Sequence, residues 1–375
     1  MAGIYIHIPF CKEACFYCNF HFSTSMKLKY PVINAIVYEL RLRHYKWKRY
    51  KYETVYFGGG TPSILSADNI QRILYELNLY YDISPDAEIT LEANPDDLSS
   101  KKLREFKKAG INRLSIGIQS FSDMFLSFLN RSHTARQAHN VIKRAYDNGF
   151  ENINIDLIYG IPRLTNEMWM ETIQKTLEYK VPHISAYALT IEERTALNTY
   201  IKKGYVPKPS EEQAAEQFEI IRNELMKNDY LHYEISNFGK QGYLSKHNIS
   251  YWKRIPYLGL GPSAHSFDGK QRRWNIANNY TYGKKVAKRK QYYEWENLSK
   301  ENVYNEMIMT GLRTMWGVNM SDVERLGKKY IKYLQKTTKK YIEQNILFIE
   351  NNHLKANPDK WFLIEGVIRD LFSVS

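Results

Sequence analysis

Cysteine is scarce: 375 residues contain three, so a disulfide would leave one cysteine over, and nothing in the sequence indicates export. Long apolar runs are missing, and none approaches the roughly 18 residues that suggest a membrane span. The opening Met-Ala-Gly-Ile-Tyr-Ile-His lacks the basic head and extended apolar middle of an export signal. Internal repeats and low-complexity tracts are also absent. Acidic residues number 40 against 53 basic ones, a net charge of +13. The basic, tyrosine-rich stretches around Arg41–Lys51 and Lys284–Lys290 are accompanied by no recognisable nucleic-acid module. They read as solvated helices, with attraction to anionic ligands or an anionic membrane surface as the residual consequence of the charge. These absences lead us to expect a cytoplasmic protein that binds no nucleic acid. At this length, one large domain plus a smaller one is expected.

What cysteine there is falls within eight residues, as Cys11-Lys-Glu-Ala-Cys15-Phe-Tyr-Cys18. Such a cluster supplies three thiolates to one centre. Electron-transfer clusters ordinarily use four cysteines and close every iron. Three thiolates leave one iron of a [4Fe-4S] cluster open, the arrangement that radical S-adenosylmethionine (SAM) chemistry requires. A structural zinc site would need a fourth ligand, for which His7 or His21 is available. Zinc knuckles, however, place C-x2-C pairs at two separate positions.

The first 190 residues alternate short apolar strands with helices. Strands are expected at Ile4–Ile8, Thr54–Phe57, Glu88–Glu92, Leu114–Ile118, Ile153–Ile158 and His183–Leu189. Helices are expected at Pro31–His44, Asp68–Tyr80, Lys101–Ala109, Ala135–Asn148 and Glu167–Tyr179, with Gly110 and Gly149 ending the third and fourth. This is the pattern of an α/β TIM-type barrel or partial barrel, with every strand's C-terminal end on one rim; together with the cysteine cluster it leads us to expect a partial (β/α)6 radical-SAM barrel. Residues 1–209 are assigned to it. Residues 210–300 read as a linking segment: a helix at Glu211–Asn228, a short strand at Tyr233–Ile235, then a loop-rich stretch to about Asn279. Residues 301–375 read as a smaller α+β, winged-helix-like domain: helices at Asn302–Thr314, Ser321–Gly327 and Ile331–Gln344, then a hairpin of Leu347–Glu350 and Trp361–Ile364.

The distinctive residues cluster at the expected rim. Gly58-Gly59-Gly60-Thr61-Pro62 follows the second strand, where glycines permit either a tight turn or close backbone approach to a cofactor. Glu92, Gln119 and Asp156 lie at or near later strand ends. Each has a functional reading, such as hydrogen bonding to the cofactor's ribose or ammonium group, and a structural one. For Asp156 the structural reading is a buried partner such as Arg131.

Taken together, Tyr5-Ile-His-Ile-Pro-Phe-Cys11 through Cys18, Gly58–Pro62, Glu92, Gln119, Asn130-Arg131, Asp156–Pro162 and Tyr257-Leu-Gly-Leu-Gly-Pro-Ser-Ala-His265-Ser resemble the oxygen-independent coproporphyrinogen III oxidases and their heme-chaperone relatives. The resemblance spans essentially the whole chain. It implies a [4Fe-4S] cluster on Cys11, Cys15 and Cys18. It also implies a SAM pocket lined by Tyr5, Tyr17, Gly58, Gly59, Gly60, Thr61, Glu92, Gln119, Arg131, Asp156 and Ala188. Of these, Gln119, Arg131, Asp156 and Ala188 match positions that contact a second SAM in the oxidases.

Two departures separate the chain from those oxidases. Phe20 stands where they carry an extra cysteine, and the sequence begins four residues before Tyr5, without their N-terminal extension. His247-Asn248-Ile249-Ser250-Tyr251-Trp252 is similar to the H-N-x-x-Y-W heme motif of the HemW-type chaperone branch, implying heme binding by His247, Asn248, Tyr251 and Trp252. A neutral imidazole can ligate iron while the aromatics pack on porphyrin. Read from the residues alone, the favoured account has His247 hydrogen-bonded within its loop while Tyr251 and Trp252 fill the seam between domains. The implied function is heme transfer to acceptor proteins, with a reductant protein serving the cluster. The alternative is oxidative decarboxylation of porphyrinogen propionates.

Overall fold

In a computed structural model that describes residues 1–373, the barrel portion runs β1 (Ala2–Ile8), α1 (Lys29–Trp47), β2 (Lys51–Gly59), α2 (Ala67–Tyr80), β3 (Asp82–Ala93), α3 (Ser100–Lys108), β4 (Arg113–Gln119), α4 (Asp123–Phe128), α5 (Ala135–Asp147), β5 (Asn152–Tyr159), α6 (Asn166–Glu178) and β6 (His183–Ala188). The six strands pair in parallel and in sequence order, as expected of right-handed βα crossovers.

Alternation along these strands sorts two faces. Ile4, Ile6, Ile8, Val55, Phe57, Leu91, Leu114, Ile116, Ile153 and Ile155 are buried in the core. The intervening positions carry Tyr5, His7, Tyr56, Glu88, Glu92, Arg113, Asn154 and Asp156, so the inner face is polar and internally hydrogen-bonded. Hydroxyl caps start the covering helices, as at Ser66 and in the Thr134–Gln137 capping box. Gly110 (φ +107°) and Gly149 (φ +79°) follow α3 and α5 in the backbone region that favours glycine.

The chain continues through α7 (Ala196–Lys202), α8 (Glu211–Lys227), β7 (Leu231–Glu234), β8 (Asn237–Gly239), α9 (Lys246–Trp252), β9 (Tyr257–Leu260), β10 (His265–Phe267), β11 (Gln271–Asn275), α10 (Asn279–Ala287) and β12 (Tyr293–Asn297). These strands extend the barrel sheet on both sides, giving twelve in the order β12-β11-β10-β9-β1-β2-β3-β4-β5-β6-β8-β7. The stretch expected to be loop-rich to Asn279 is therefore largely ordered into sheet. Its strands are three to five residues long, too short for alternation to register in the sequence.

The C-terminal unit comprises α11 (Lys300–Leu312), β13 (Val318–Asn319), α12 (Met320–Leu326), α13 (Lys328–Glu343), β14 (Leu347–Glu350), β15 (His353–Ala356) and α14 (Ile364–Leu371). Its three strands, in the order β13-β15-β14, complete the winged-helix-like pattern. The hairpin's second strand is His353–Ala356, not Trp361–Ile364. Asn351 and Asn352 both take positive φ (+49° and +61°), forming a two-residue turn that returns the chain at once. Pro358, behind the Asn357 cap, then starts a 3-10 turn that carries Trp361 into α14. The unit docks on the sheet edge through Ile235 N–H to Arg313 O (3.0 Å) and Met315 N–H to Tyr233 O (3.1 Å). Among the described residues, no helix is long and apolar enough to cross a membrane.

Candidate functional site at the barrel rim

The cysteine loop leaves β1 at Pro9 and is fastened by contacts that involve no sulfur. Asn130 Nδ2 donates to Ala14 O (2.8 Å), Phe16 N–H to Leu129 O (3.2 Å), and Leu197 N–H to Phe16 O (2.8 Å). Lys12 pairs with Asp96 (2.6 Å) and Asp97 (2.5 Å). Cys11, Cys15 and Cys18 are each half-buried and unpaired. Thr61 Oγ1 lies 3.5 Å from Cys11 Sγ, and Arg131 Nη1 3.3 Å from Cys15 Sγ. Burial pushes the Cys11 thiol up to about 11 and raises that of Cys18, so a bound metal would have to displace their protons. Among the described residues, no three His, Cys, Asp or Glu side chains stand close enough to share one ion. A four-iron cluster does not need that, because its three thiolates bind three different irons. Three half-buried thiols on one loop, beside a guanidinium, are a donor set that fits such a cluster.

The glycine triplet meets this loop edge-on. Gly60 N–H donates to Ile8 O (2.9 Å) and Thr61 N–H to Phe10 O (2.7 Å). A Cβ on Gly60 would lie 2.7 Å from Phe10 O and 3.0 Å from Cys11 Sγ, which forces glycine there. Gly59 has φ +113° and its N–H donates to Glu92 Oε2 (3.1 Å), while Tyr56 OH donates to Glu92 Oε1 (2.8 Å). Gly58 packs against Tyr5, Tyr56 and Glu92. Glu92 keeps some contact with solvent at the rim but lies deep among protein atoms. Desolvation raises its pKa to about 7 against the opposing Tyr56 hydrogen bond.

Arg131 connects these parts. Its Nη2 donates to Asn94 Oδ1 (2.7 Å) and to Gly117 O (3.0 Å), and Tyr17 lies beside it. It forms no ion pair with Asp156, whose Oδ1 instead accepts from Asn154 Nδ2 (2.7 Å). Gln119 is buried with φ +62° at the end of β4, and half-buried Ala188 ends β6 opposite Tyr159. Asn94 and Asn154 contact Arg131 and Asp156, a role that a lone asparagine does not signal in sequence.

The H-N-x-x-Y-W residues divide. His247 is buried in the barrel base, where Glu88 accepts its backbone N–H (3.2 Å). Its Nδ1 lies 2.7 Å from Thr54 Oγ1 and its Nε2 2.9 Å from Tyr251 OH. Its ring stacks on Tyr56 (centroids 4.8 Å apart), and burial lowers its pKa to about 3. Asn248, Tyr251 and Trp252 instead line a cavity of about 850 Å³ between the rim and α11. Tyr5, Phe20, Tyr257 and Phe267 add aromatic wall; Arg254, Arg272 and Arg313 add positive charge, and His7, His21 and His265 imidazoles. The cavity thus opens directly beside the cysteine loop.

A parallel βα barrel with three rim thiols and an adjoining glycine cradle defines a radical-SAM protein. The Radical SAM superfamily model matches residues 5–176, and that of the HemN C-terminal domain residues 298–363. The chain is 36% identical to heme chaperone HemW of Lactococcus lactis subsp. lactis (strain IL1403), over 98% of its own length and 96% of the relative's. It is 35% identical to heme chaperone HemW of Bacillus subtilis (strain 168), over 88% and 87% of the two chains. The chain belongs to the HemW family. Its fold matches that of coproporphyrinogen III oxidase (HemN) from Escherichia coli with a TM-score of 0.86, at 20% identity, over 99% of this chain and 90% of that one.

Proposed function

We propose that the protein is a cytoplasmic heme chaperone. It holds a [4Fe-4S] cluster on Cys11, Cys15 and Cys18, binds SAM at the adjoining rim, and carries heme in the cavity beside it for transfer to acceptor proteins. The observation that carries this reading is the continuity of the thiol loop with a roomy aromatic cavity edged by arginines. When bound, the cluster supplies an open iron for the aminoacyl end of SAM and an electron for its sulfonium bond. In this reading Gly58, Gly59, Gly60 and Thr61 present backbone to SAM, Glu92 faces its cationic or ribose end, and Arg131 steadies the cysteine loop. Tyr5, Tyr17, Gln119, Asp156 and Ala188 complete the pocket. Asn248, Tyr251 and Trp252 form the heme wall, and His247 supports it from below through Tyr251. A reductant protein serves the cluster, and the net charge of +13 favours contact with acidic acceptors or an anionic membrane surface.

The test is anaerobic: hemin titration of the reconstituted protein, alongside incubation with SAM, reductant and coproporphyrinogen III. Stoichiometric heme binding without porphyrin product is expected. Protoporphyrinogen formed over many turnovers would overturn the chaperone reading.

Glu92 gives a pH signature. With its pKa raised to about 7, the carboxyl is protonated below that value and anionic above it. A cationic partner favours the anion, so SAM affinity should strengthen as pH rises through about 7. Equilibrium dialysis with labelled SAM should show this rise, and Glu92→Gln should flatten it. An unchanged profile in that variant would remove Glu92 from the site.

A further inference from the structure

We propose that His265 supplies the imidazole that ligates heme iron in the cavity, an assignment that rests on the heme-carrying reading above. Three histidines line this space, and their engagements differ. His7 is buried, with Nδ1 3.1 Å from Tyr5 OH and Nε2 2.8 Å from His21 O. His21 commits Nε2 to Asn279 Oδ1 at 2.8 Å and stacks on His7. His265 alone of the three is exposed and has neither ring nitrogen hydrogen-bonded among the described residues. The motif histidine, His247, lies below the wall with both nitrogens occupied. To reach iron it would have to break both contacts and leave its stack on Tyr56.

The backbone at His265 is fixed although its side chain is free. A Cβ on Gly259 would fall 1.8 Å from His265 O, so only glycine allows these strands to approach this closely. Ser266 Oγ accepts from Gly259 N–H (3.0 Å) and from Arg43 Nη1 (3.0 Å), pinning the next residue. Trp274, opposite in register on β11, stacks on the His265 ring with centroids 6.2 Å apart. A rigid mount with an uncommitted imidazole is what iron ligation needs.

The surroundings suit the rest of a heme. Arg254 and Arg272 pair with Glu306 at 3.1 and 2.6 Å, which holds two guanidiniums at the cavity edge; a propionate there meets their remaining N–H groups in competition with the Glu306 carboxylate. Tyr251, Trp252 and Tyr257 offer apolar surface to the macrocycle.

The experiment is hemin titration of the reconstituted full chain, wild type against His265→Gly, His21→Ala and His247→Ala. It is read by the heme difference spectrum, with iron and sulfide content as the check on folding. His265→Gly should lose the imidazole-ligated spectrum and bind roughly tenfold more weakly, equivalent to about 1.4 kcal/mol. Added imidazole should restore the spectrum, which a merely structural role would not allow. Should His265→Gly fail to reconstitute, His265→Gln keeps bulk against Trp274 and should show the same spectral loss. An unchanged spectrum in the His265 variant, or its loss in His21→Ala or His247→Ala instead, overturns the assignment alone. No heme binding by the wild type overturns the heme-carrying reading with it.

Discussion

Replacing Cys15 with alanine is expected to abolish the [4Fe-4S] cluster altogether while leaving the fold intact. The chain holds no fourth cysteine that could take its place. Two thiolates cannot retain a cubane against chelation, because ligation energy and proton release are coupled at each position. The protons matter here. Burial already disfavours the charged forms of Cys11 and Cys18, so the cluster's own positive iron must stabilise all three thiolates together. Arg131, 3.3 Å from Cys15 Sγ, is a protein cation placed to assist. The fold should survive because the loop is fastened by Asn130, Leu129, Leu197 and the Lys12 ion pairs rather than by sulfur. The measurement is iron and acid-labile sulfide per chain after anaerobic reconstitution, with far-ultraviolet circular dichroism as the control. Full iron and sulfide in the variant would remove Cys15 from the ligand set.

Much of this architecture could be read from residue order. The six barrel strands and five of their helices follow from clear periodicity and hydroxyl or glycine punctuation, and they fall within a few residues of expectation, except that β3 begins at Asp82 rather than Glu88. The cysteine octet is local in sequence, so its chemistry needed no tertiary information. Other parts depend on neighbours that sequence does not reveal. Strands β8 to β11 exist because β6 and β1 offer edges for β8 and β9, on which β10 and β11 then build, not because their own few residues insist on it. The Asn351-Asn352 turn carried a usable signal, two adjacent residues tolerant of positive φ, and it locates the hairpin better than the apolar run at Trp361. His247 shows the limit most plainly. Its motif is legible, but whether an imidazole faces a cavity or a threonine hydroxyl is decided by Thr54, Tyr56 and Glu88, about 160 to 190 positions away.

Trp252→Ala should separate the two halves of the site. Trp252 ends α9 and faces the cavity, whereas the cysteine loop is held from Asn130, Arg131 and Leu197. A tryptophan offers on the order of 150–250 Å² of contact surface. Half of that covered by porphyrin, at about 25 cal/mol per Å² plus a stacking contribution, corresponds to roughly 2–4 kcal/mol. Heme affinity should therefore fall about thirtyfold or more, with iron, sulfide and SAM binding retained. Tyr251 is the poorer choice for this purpose, since its hydroxyl holds His247 Nε2 and its loss would disturb the barrel base as well. Competitive hemin titration of the two reconstituted proteins gives the ratio directly. Unchanged heme affinity in Trp252→Ala would move heme off this wall. Weakened SAM binding with heme untouched would instead assign the cavity to the nucleoside end of SAM, making the aromatic wall part of the cofactor site.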